Sequence, residues 1–358
     1  MTNLPITQVA ITDISDLLNP QGGRRMNMPG FDAEFVDFPD YIVRITNRIW
    51  HDRDVDLIHR YYAPDCTIHT QGGDIVGAQA VMDNTRNTMT AFPDRTLDAD
   101  NVIWSKDGNV FYSSHLITSR MTNLGSSEFG PPTGRSARVR TIADCTAGNN
   151  FIFEEWLVRD QAAIVEQLGF DVDTKARVLA QADIDAGFDL LSFHEEKHQN
   201  TYSHQYGNIG KPDDPECEVK TFIESLFKNL WNVRQSDKRG DYYDFRVSAR
   251  YPGARDFYGH DQVASFIHMI FGTLPDAVVK IEHIADIPYL GRARDVAVRW
   301  SLAGYHTGDG FYGEATRAPV YIMGISHFRL VNGRVREEVT LWDDVAVRRM
   351  IEGVRLRG

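Results

Sequence analysis

Asp144 is a carboxylate of this chain whose position in a strand could suit it to proton transfer. It lies in the strand-like run RVRTIADCT. A carboxylate inside a largely apolar cavity loses hydration, so its pKa rises toward neutrality and it can exchange a proton beside a carbonyl group. Strand alternation also places Arg138 and Arg140 on its face, and an ion pair with either would explain Asp144 without catalysis. Both interpretations stay open, and we predict that Asp144 faces a pocket near His69, His115 or Arg140.

Other side chains in the same half of the chain are of types that contact ligands. His69 alternates with Thr67 in the short run TIHT, and the pair Glu154-Glu155 sends its two carboxylates to opposite faces of a strand. Single histidines and large aromatic residues are also common in ordinary cores, so a structural role stays open for each. The candidate ligand-binding residues here are Trp50, His69, His115, Arg140, Glu154 and Trp156.

One string matches a metal-binding motif in the wrong setting. The run from His194 to His198 reads HEEKH, the H-E-x-x-H pattern that sets two imidazoles on one face of a helix in zinc peptidases. Its inner positions are charged where a buried metal helix would carry apolar residues, and no convincing third ligand is apparent beyond His204. We therefore predict no metal site in this chain.

Composition excludes several classes of function. The formal net charge of −12 would repel a phosphate backbone, and no basic run interleaved with aromatics offsets it. No apolar stretch approaches the roughly 18 to 20 residues of a membrane helix, and the first residues lack a signal-peptide pattern. No phosphate-binding or dinucleotide-binding glycine motif is present. We expect a cytoplasmic protein with no nucleic acid or membrane partner and no cofactor.

An internal duplication organises the chain. Gly77 matches Gly259, and the Pro93-Asp94 pair matches Pro275-Asp276 at the same offset; the Glu154-Glu155 pair then matches Glu337-Glu338 at an offset one residue longer. A repeat of this length predicts two copies of one domain.

Each copy has the same predicted order of elements. An amphipathic helix comes first, then a helix that begins after Gly77 or Gly259 and ends where a proline disfavours helix in the residue before it. Strand-like runs follow, with turns at Asp107-Gly108, at residues 148–150 and at Asn332-Gly333. Helices followed by an antiparallel meander predict an α+β fold.

The segments outside the repeat complete the domain plan. Residues 1–37 form an N-terminal arm with irregular chain at Gly22-Gly23. The first domain is expected at 38–170, a helical linker at 171–215 and the second domain at 216–358.

Each copy resembles the SnoaL-like polyketide cyclase branch of the nuclear transport factor 2-like superfamily. The runs that carry the resemblance are FPD at 92–94, GPPTGR at 130–135, EEWLVRD at 154–160, QLG at 167–169, LPD at 274–276, GYHTG at 304–308, GISHFRLVNGRV at 324–335 and EEVTLWD at 337–343. The resemblance implies two cone-shaped domains, in which helices close the concave side of a curved antiparallel sheet around a pocket.

The same resemblance implies roles for particular residues. Asp144 falls where the cyclase branch has its acid/base aspartate, and His327 stands at the matching position of the second copy. A face holding Tyr321, Met323, Ile325 and His327 is expected to line the second pocket, with His306 and Glu337 as further candidates for ligand binding. Isolated domains of this family often dimerise through their sheets, so the tandem would form a pseudo-dimer within one chain, with further homo-oligomers possible.

Two functions follow from this reasoning. The first is a cofactor-free acid/base enzyme of the cyclase, isomerase or dehydratase type that acts on a small apolar carbonyl compound. The alternative is a non-catalytic small-molecule binding or regulatory protein, because folds of this kind serve both purposes. Pocket size and polarity discriminate between them.

Overall fold

The computed structural model describes residues 6–21 and 25–358, which divide into two compact units. The first contains residues up to 70, 74–159 and 163–169, and the second contains residues 71–73, 160–162 and 170–358. Each unit has helices and one six-stranded sheet, so the predicted α+β fold is confirmed twice. Gly22 and Gly23, predicted as irregular chain, lie outside the described residues.

The helices of the first unit precede most of its strands. Val9, Leu17, Phe31 and Phe35 of the N-terminal arm are buried in the first core. The helices are α1 (Ile14–Leu18), α2 (Phe38–Thr46), α3 (Ile58–Tyr61), α4 (Ala78–Ala91) and α5 (Gln161–Gln167). A π-helical turn (Asn47–His51) continues α2.

Helix α4 begins and ends where the sequence predicts. Gly77 precedes it with φ of +88°, a conformation that favours glycine. The helix stops at Ala91, just before the Phe92-Pro93 pair.

The first sheet is a meander extended by one parallel strand pair. Its strands are β1 (Tyr62–Thr70), β2 (Gly73–Val76), β3 (Thr96–Asp107), β4 (Val110–Thr122), β5 (Ser136–Gly148) and β6 (Phe151–Arg159), in the spatial order β2-β1-β6-β5-β4-β3. Strands β3 to β6 pair antiparallel, whereas β1 runs parallel to β6. The parallel pair brings β1 beside the strand that carries Glu154 and Glu155.

The second unit repeats this order. Its helices are α6 (Val172–Ala186), α7 (Leu190–Tyr202), α8 (Val219–Leu226), α9 (Arg239–Tyr242), α10 (His260–Thr273) and α11 (Asp344–Arg357). Its strands are β7 (Tyr243–Tyr251), β8 (Arg255–Tyr258), β9 (Val278–Pro288), β10 (Arg294–Tyr305), β11 (Pro319–Val331) and β12 (Arg334–Trp342). The spatial order β8-β7-β12-β11-β10-β9 equals that of the first sheet, with β7 parallel to β12.

The segment predicted as a helical linker forms α6 and α7, which pack within the second unit. Helix α6 lies along α11, where Asp183 pairs with Arg349. Helix α7 lies on the second sheet, and the hydroxyls of Thr201 and Ser301 are 2.8 Å apart.

Aromatic side chains fill the interior of the second unit. The ring centroids of Trp231 and Trp300 are 5.5 Å apart, and those of Trp300 and Trp342 are 6.1 Å apart. Gly324 makes room for this cluster, because a Cβ atom there would lie 2.2 Å from the Trp300 ring.

Candidate active site

The first unit holds a cavity of about 90 Å³ between its helices and the sheet. One water molecule needs about 10–15 Å³ of such volume, so the space is several times larger than a single water requires. Apolar side chains form most of the wall: Ile42, Ile45, Trp50, Ile68, Ile75, Val81, Leu97, Ile117, Ile152 and Leu157. The titratable side chains in the lining are Tyr62, Arg95, His115, Cys145, Glu155 and Arg159.

Strand alternation decides which side chains enter the cavity. On β5 the lining residues are Thr141, Ala143 and Cys145, which are two positions apart. Cys145 lies opposite Glu155 on β6, and Thr141 lies opposite Arg159. Residues 155 and 159 are four positions apart on one strand, so their Cα atoms are separated by roughly 13 Å. The cavity therefore has an acidic end at Glu155 and a basic end at Arg159.

Glu155 is a buried carboxyl group with donors around it. The Tyr62 hydroxyl donates a hydrogen bond of 2.9 Å to its Oε2 atom. Burial raises the pKa of Glu155 to about 7, although hydrogen bonds from Tyr62 and Cys145 act in the opposite direction. A carboxyl group with this pKa is present in both protonation states near neutral pH, which suits a residue that takes and returns a proton.

His115 and Thr141 supply neutral polar atoms to the cavity wall, with His115 opposite Ala143 and Thr141 opposite Arg159. His115 is buried, and burial lowers its pKa to about 3, so its imidazole is uncharged at neutral pH. Neither His115 Nε2 nor Thr141 Oγ1 has a hydrogen-bond partner among the described residues. A ligand oxygen in the cavity would satisfy these atoms, since buried polar groups without partners are costly.

Arg95 and Arg159 form the basic end of the cavity. Arg95 immediately precedes β3 and Arg159 ends β6. Each residue is half-buried, but its Nε atom is enclosed and has no hydrogen-bond partner among the described residues. Burial, with a smaller contribution from the Arg159 charge, lowers the pKa of Arg95 to about 9.

Three of the polar residues that line the cavity have no polar counterpart in the second unit. Following the repeat, Arg95, His115 and Arg159 match Ala277, Val298 and Trp342. Glu155 matches Glu338, whose carboxylate accepts a 2.5 Å hydrogen bond from Thr340 and whose pKa burial raises. The cavity found in this unit is smaller, about 30 Å³, and is lined in part by Leu230 and Tyr243. The second unit thus has a buried glutamate at the matching position, Glu338, but this residue does not line the smaller cavity.

Sequence comparison matches both units to one family. The model of the SnoaL-like polyketide cyclases matches residues 40–168 and again residues 222–351, which together make up more than half of the chain. The chain belongs to the SnoaL-like polyketide cyclase family. Its two units are tandem SnoaL-like domains.

Solved structures of other proteins resemble part of this chain. IdmH, a candidate polyketide cyclase from Streptomyces antibioticus, is 22% identical, with 36% of this chain and 96% of that chain covered and a TM-score of 0.32. A candidate SnoaL-like polyketide cyclase from Jannaschia sp. CCS1 is 18% identical, with coverages of 42% and 98% and a TM-score of 0.34. AclR, a candidate hydroxylase from Streptomyces galilaeus, is 20% identical, with coverages of 34% and 87% and a TM-score of 0.31. A search of curated proteins finds no significant match.

The expectation that Asp144 faces the cavity of the first SnoaL-like domain is wrong. Asp144 is fully buried, but the neighbouring residues Ala143 and Cys145 line the cavity, so its side chain lies on the opposite face of β5. There its carboxylate accepts a hydrogen bond from the Tyr112 hydroxyl. The small side chains of β5 face the helices, and the space that they leave there forms part of the cavity.

Several other predicted residues share the face of Asp144. His69 hydrogen-bonds Asp74 at 3.1 Å and Glu154 at 3.2 Å, and its ring stacks on Trp156 with centroids 5.4 Å apart. Arg140 alternates onto this face as well. The expectation of a cavity position is therefore wrong for His69, Arg140, Glu154 and Trp156. Trp50 and His115 do lie in the cavity wall.

The residues predicted to line the second pocket are buried, but on the face of β11 opposite the core of this domain. Ile322 and Phe328 belong to the core of this domain. Tyr321, Met323, Ile325 and His327 alternate onto the other face of β11, so the predicted pocket lining is corrected.

His306 and Glu337 are held by local contacts. His306 Nδ1 is 3.1 Å from Thr316 Oγ1, and Glu337 forms an ion pair of 2.7 Å with Arg329.

The HEEKH string of α7 makes structural contacts. His194 Nε2 is 2.8 Å from the carbonyl oxygen of Gln71, and its ring stacks on Tyr321. His198 Nε2 is 3.2 Å from the carbonyl oxygen of Gly304. Among residues 6–21 and 25–358, no group of three or more histidine, cysteine or acidic residues is arranged to hold a metal ion. No helix in the same ranges is long and apolar enough to cross a membrane.

Residues that the sequence reasoning missed dominate the site. Tyr62, Arg95, Thr141, Cys145, Glu155 and Arg159 were not selected as candidates, although all of them line the cavity. A usable signal was present in β6, where Glu155, Leu157 and Arg159 alternate onto the face opposite that of Glu154 and Trp156.

Proposed function

We propose that the first SnoaL-like domain is a cofactor-free acid/base enzyme that enolises or cyclises a small, largely apolar carbonyl compound, with Glu155 as the proton-transferring group. The observation that carries the proposal is the position of the Glu155 carboxyl group, which lines a cavity with apolar walls and is held by Tyr62, and burial there raises its pKa to about 7. Membership of the SnoaL-like family supports this class of reaction.

The ionised carboxylate of Glu155 removes a proton from the carbon next to the substrate carbonyl group. The C–H electron pair then forms an enolate, whose oxygen accepts a hydrogen bond from neutral His115 in the cavity wall. Tyr62 holds one carboxyl oxygen of Glu155 at 2.9 Å and so fixes the direction of proton transfer. In a cyclisation, the enolate carbon attacks a second carbonyl group of the same molecule, and protonated Glu155 returns the proton to the new alkoxide.

The second domain has a different role in this proposal. Its interior is filled by Trp231, Trp300 and Trp342, and the positions of Arg95 and His115 carry Ala277 and Val298. We infer that this domain contributes stability rather than a second reaction site.

Exchange of the proton next to a carbonyl group tests this proposal. Wild-type protein in D₂O should introduce deuterium beside the carbonyl group of aryl ketones and 1,3-diketones, followed by NMR. Glu155→Gln should lower the rate by about 10² to 10⁴, because the side chain keeps its shape but loses the proton-transfer group.

Glu154→Gln is the matched control, since its carboxylate lies on the other face of the same strand. It should leave the exchange rate within about twofold of wild type. Equal rates in wild type and Glu155→Gln would refute the catalytic assignment, and a total lack of exchange in wild type would favour a binding protein.

A further inference from the structure

The cavity of the first domain contains two cations whose charge has no acidic partner beside it. Arg95 and Arg159 both line the cavity, and the Nε atoms of both are enclosed without a hydrogen-bond partner among the described residues. Arg95 Nη2 donates a long hydrogen bond of 3.5 Å to Ser119 Oγ. A guanidinium group carries five N–H donors in a planar fork, so most of this donor capacity is free for a ligand.

Two enclosed arginines elsewhere in this protein are paired with carboxylates. Arg44 lies 2.6 Å from Asp40, and Arg329 lies 2.7 Å from Asp295. Neither Arg95 nor Arg159 forms an ion pair within residues 6–21 and 25–358. Burying a cation without a partner is costly, so an anionic ligand in the cavity would offset the charge of Arg95 and Arg159.

The single acidic side chain in the described lining compensates for them only in part, through an attraction to the Arg159 charge that lowers the pKa of Glu155 against the effect of burial. Glu155 is bound by Tyr62, and its Cα lies four strand positions, roughly 13 Å, from that of Arg159. Its pKa of about 7 also leaves it partly uncharged at neutral pH. The basic end of the cavity therefore keeps an excess of positive charge.

The second domain shows that the fold does not require these arginines. The matching positions are Ala277 and Trp342, and Trp342 packs into the aromatic interior there. An architecture with the same strand order is thus complete without cations at these two positions. The arginines accompany the open cavity, which is the feature that a ligand would use.

We propose that the first domain binds a substrate with a carboxylate group, which Arg95 and Arg159 hold at the basic end of the cavity while the apolar walls enclose its carbon frame. The planar fork of arginine matches a carboxylate with two parallel hydrogen bonds. This inference rests on the proposed function for one point, namely that the reacting carbon lies toward Glu155. The separation of the two ends then selects an elongated aryl or polyketone acid rather than a short keto acid.

Calorimetric titration of the full chain with matched acids and amides tests the inference without any turnover. The probes are benzoate, 2-naphthoate and biphenyl-4-carboxylate, each against its neutral carboxamide, with 2-naphthyl phosphate as a further anion. At least one carboxylate should bind ten times or more tightly than its amide, and the acid of the best size should exceed the phosphate.

Variants locate the anion. Arg95→Gln and Arg159→Gln should each weaken binding of the carboxylate tenfold or more while leaving the amide unchanged, and Arg159→Lys should retain part of the affinity. Arg120→Gln, an exposed arginine paired with Asp98, is the matched control and should bind as wild type does. Thermal melting of each variant verifies that it is folded.

The outcomes separate this inference from the proposed function. Glu155→Gln should lose proton exchange to the extent given above and still bind the carboxylate. In the wild type, carboxylate binding without proton exchange would overturn only the proposed function, and exchange without a preference for carboxylates would overturn only this inference. Equal affinity for acid and amide, preference for the phosphate, or no binding of any carboxylate to the wild type would each overturn the inference.

Discussion

At the scale of single residues, neighbouring positions of a strand place their side chains on opposite faces, and the face sets the chemical environment of the side chain. Glu154 and Glu155 are identical side chains one position apart, yet one pairs with His69 on one face of β6 and the other enters an apolar cavity. Burial raises the pKa of Glu155 to about 7, which distinguishes a proton-transfer group from a structural ion-pair partner.

The raised pKa of Glu155 should make the stability of the protein depend on pH. A native-state pKa of about 7, against 4.5 for an unperturbed glutamate, means that between these values the folded state binds a proton that the unfolded state has lost. Stability therefore falls as pH rises through this window, and above it ionised Glu155 costs about 3 kcal/mol. Glu155→Gln should unfold at higher denaturant concentration than wild type at pH 8, and the difference should disappear near pH 4.5.

Glu154→Gln provides the comparison for that experiment, with urea denaturation followed by circular dichroism at each pH. It should show no such pH-dependent gain, because Glu154 lies outside the cavity and its replacement leaves the buried Glu155 in place. A stability difference between Glu155→Gln and wild type that is constant from pH 4.5 to pH 8 would contradict the raised pKa.

At the scale of elements, the sequence predicts most of the architecture. Gly77, the Phe92-Pro93 pair and the Asn149-Asn150 turn place the ends of α4, β5 and β6, because each acts through local backbone geometry. The parallel pairing of β1 with β6 is not a local property, and neither is the choice of which face of β5 meets the helices. Asp144 was therefore assigned to the wrong face although its strand was correctly identified.

Gly324 in β11 is the element-scale position with the clearest expected effect. A Cβ atom there would meet the Trp300 ring at 2.2 Å, so Gly324→Ala should destabilise the chain by about 1–3 kcal/mol through overpacking. Gly353→Ala in α11 meets nothing within 4 Å and should be neutral or slightly stabilising, as expected for glycine replaced in a helix. Thermal unfolding of the two variants measures both effects, and equal melting temperatures would show that the ring relaxes freely.

At the scale of the whole molecule, duplication has produced one open and one filled interior. The pair Ile117 and Thr141 of the first domain corresponds to Trp300 and Gly324 of the second, and both pairs are adjacent across antiparallel strands. Both domains have the same fold, but the Trp300 indole ring packs against Gly324 and occupies the space that Ile117 and Thr141 leave open in the first domain. Two copies of one architecture are thus expected to provide one reaction site.

Transferring the filled arrangement to the first domain tests this division. The double variant Ile117→Trp with Thr141→Gly should fold, since the same pair is accommodated in the second sheet, but should lose ligand binding and proton exchange at least a hundredfold. Calorimetry on the wild type should give one ligand per chain. Two equivalents per chain, or an unaffected double variant, would contradict a single functional cavity.

Measuring the ionisation of Glu155 is the most direct test of its proposed acid/base role. Carboxyl ¹³C chemical shifts of glutamate-labelled protein, with the Glu155 signal assigned by its absence in Glu155→Gln, report the pKa of this side chain during a pH titration. The account predicts a titration midpoint near pH 7 for Glu155. A midpoint near 4.5 would mean that the cavity does not prepare this carboxyl group for proton transfer, and the proposed acid/base role would fall with it.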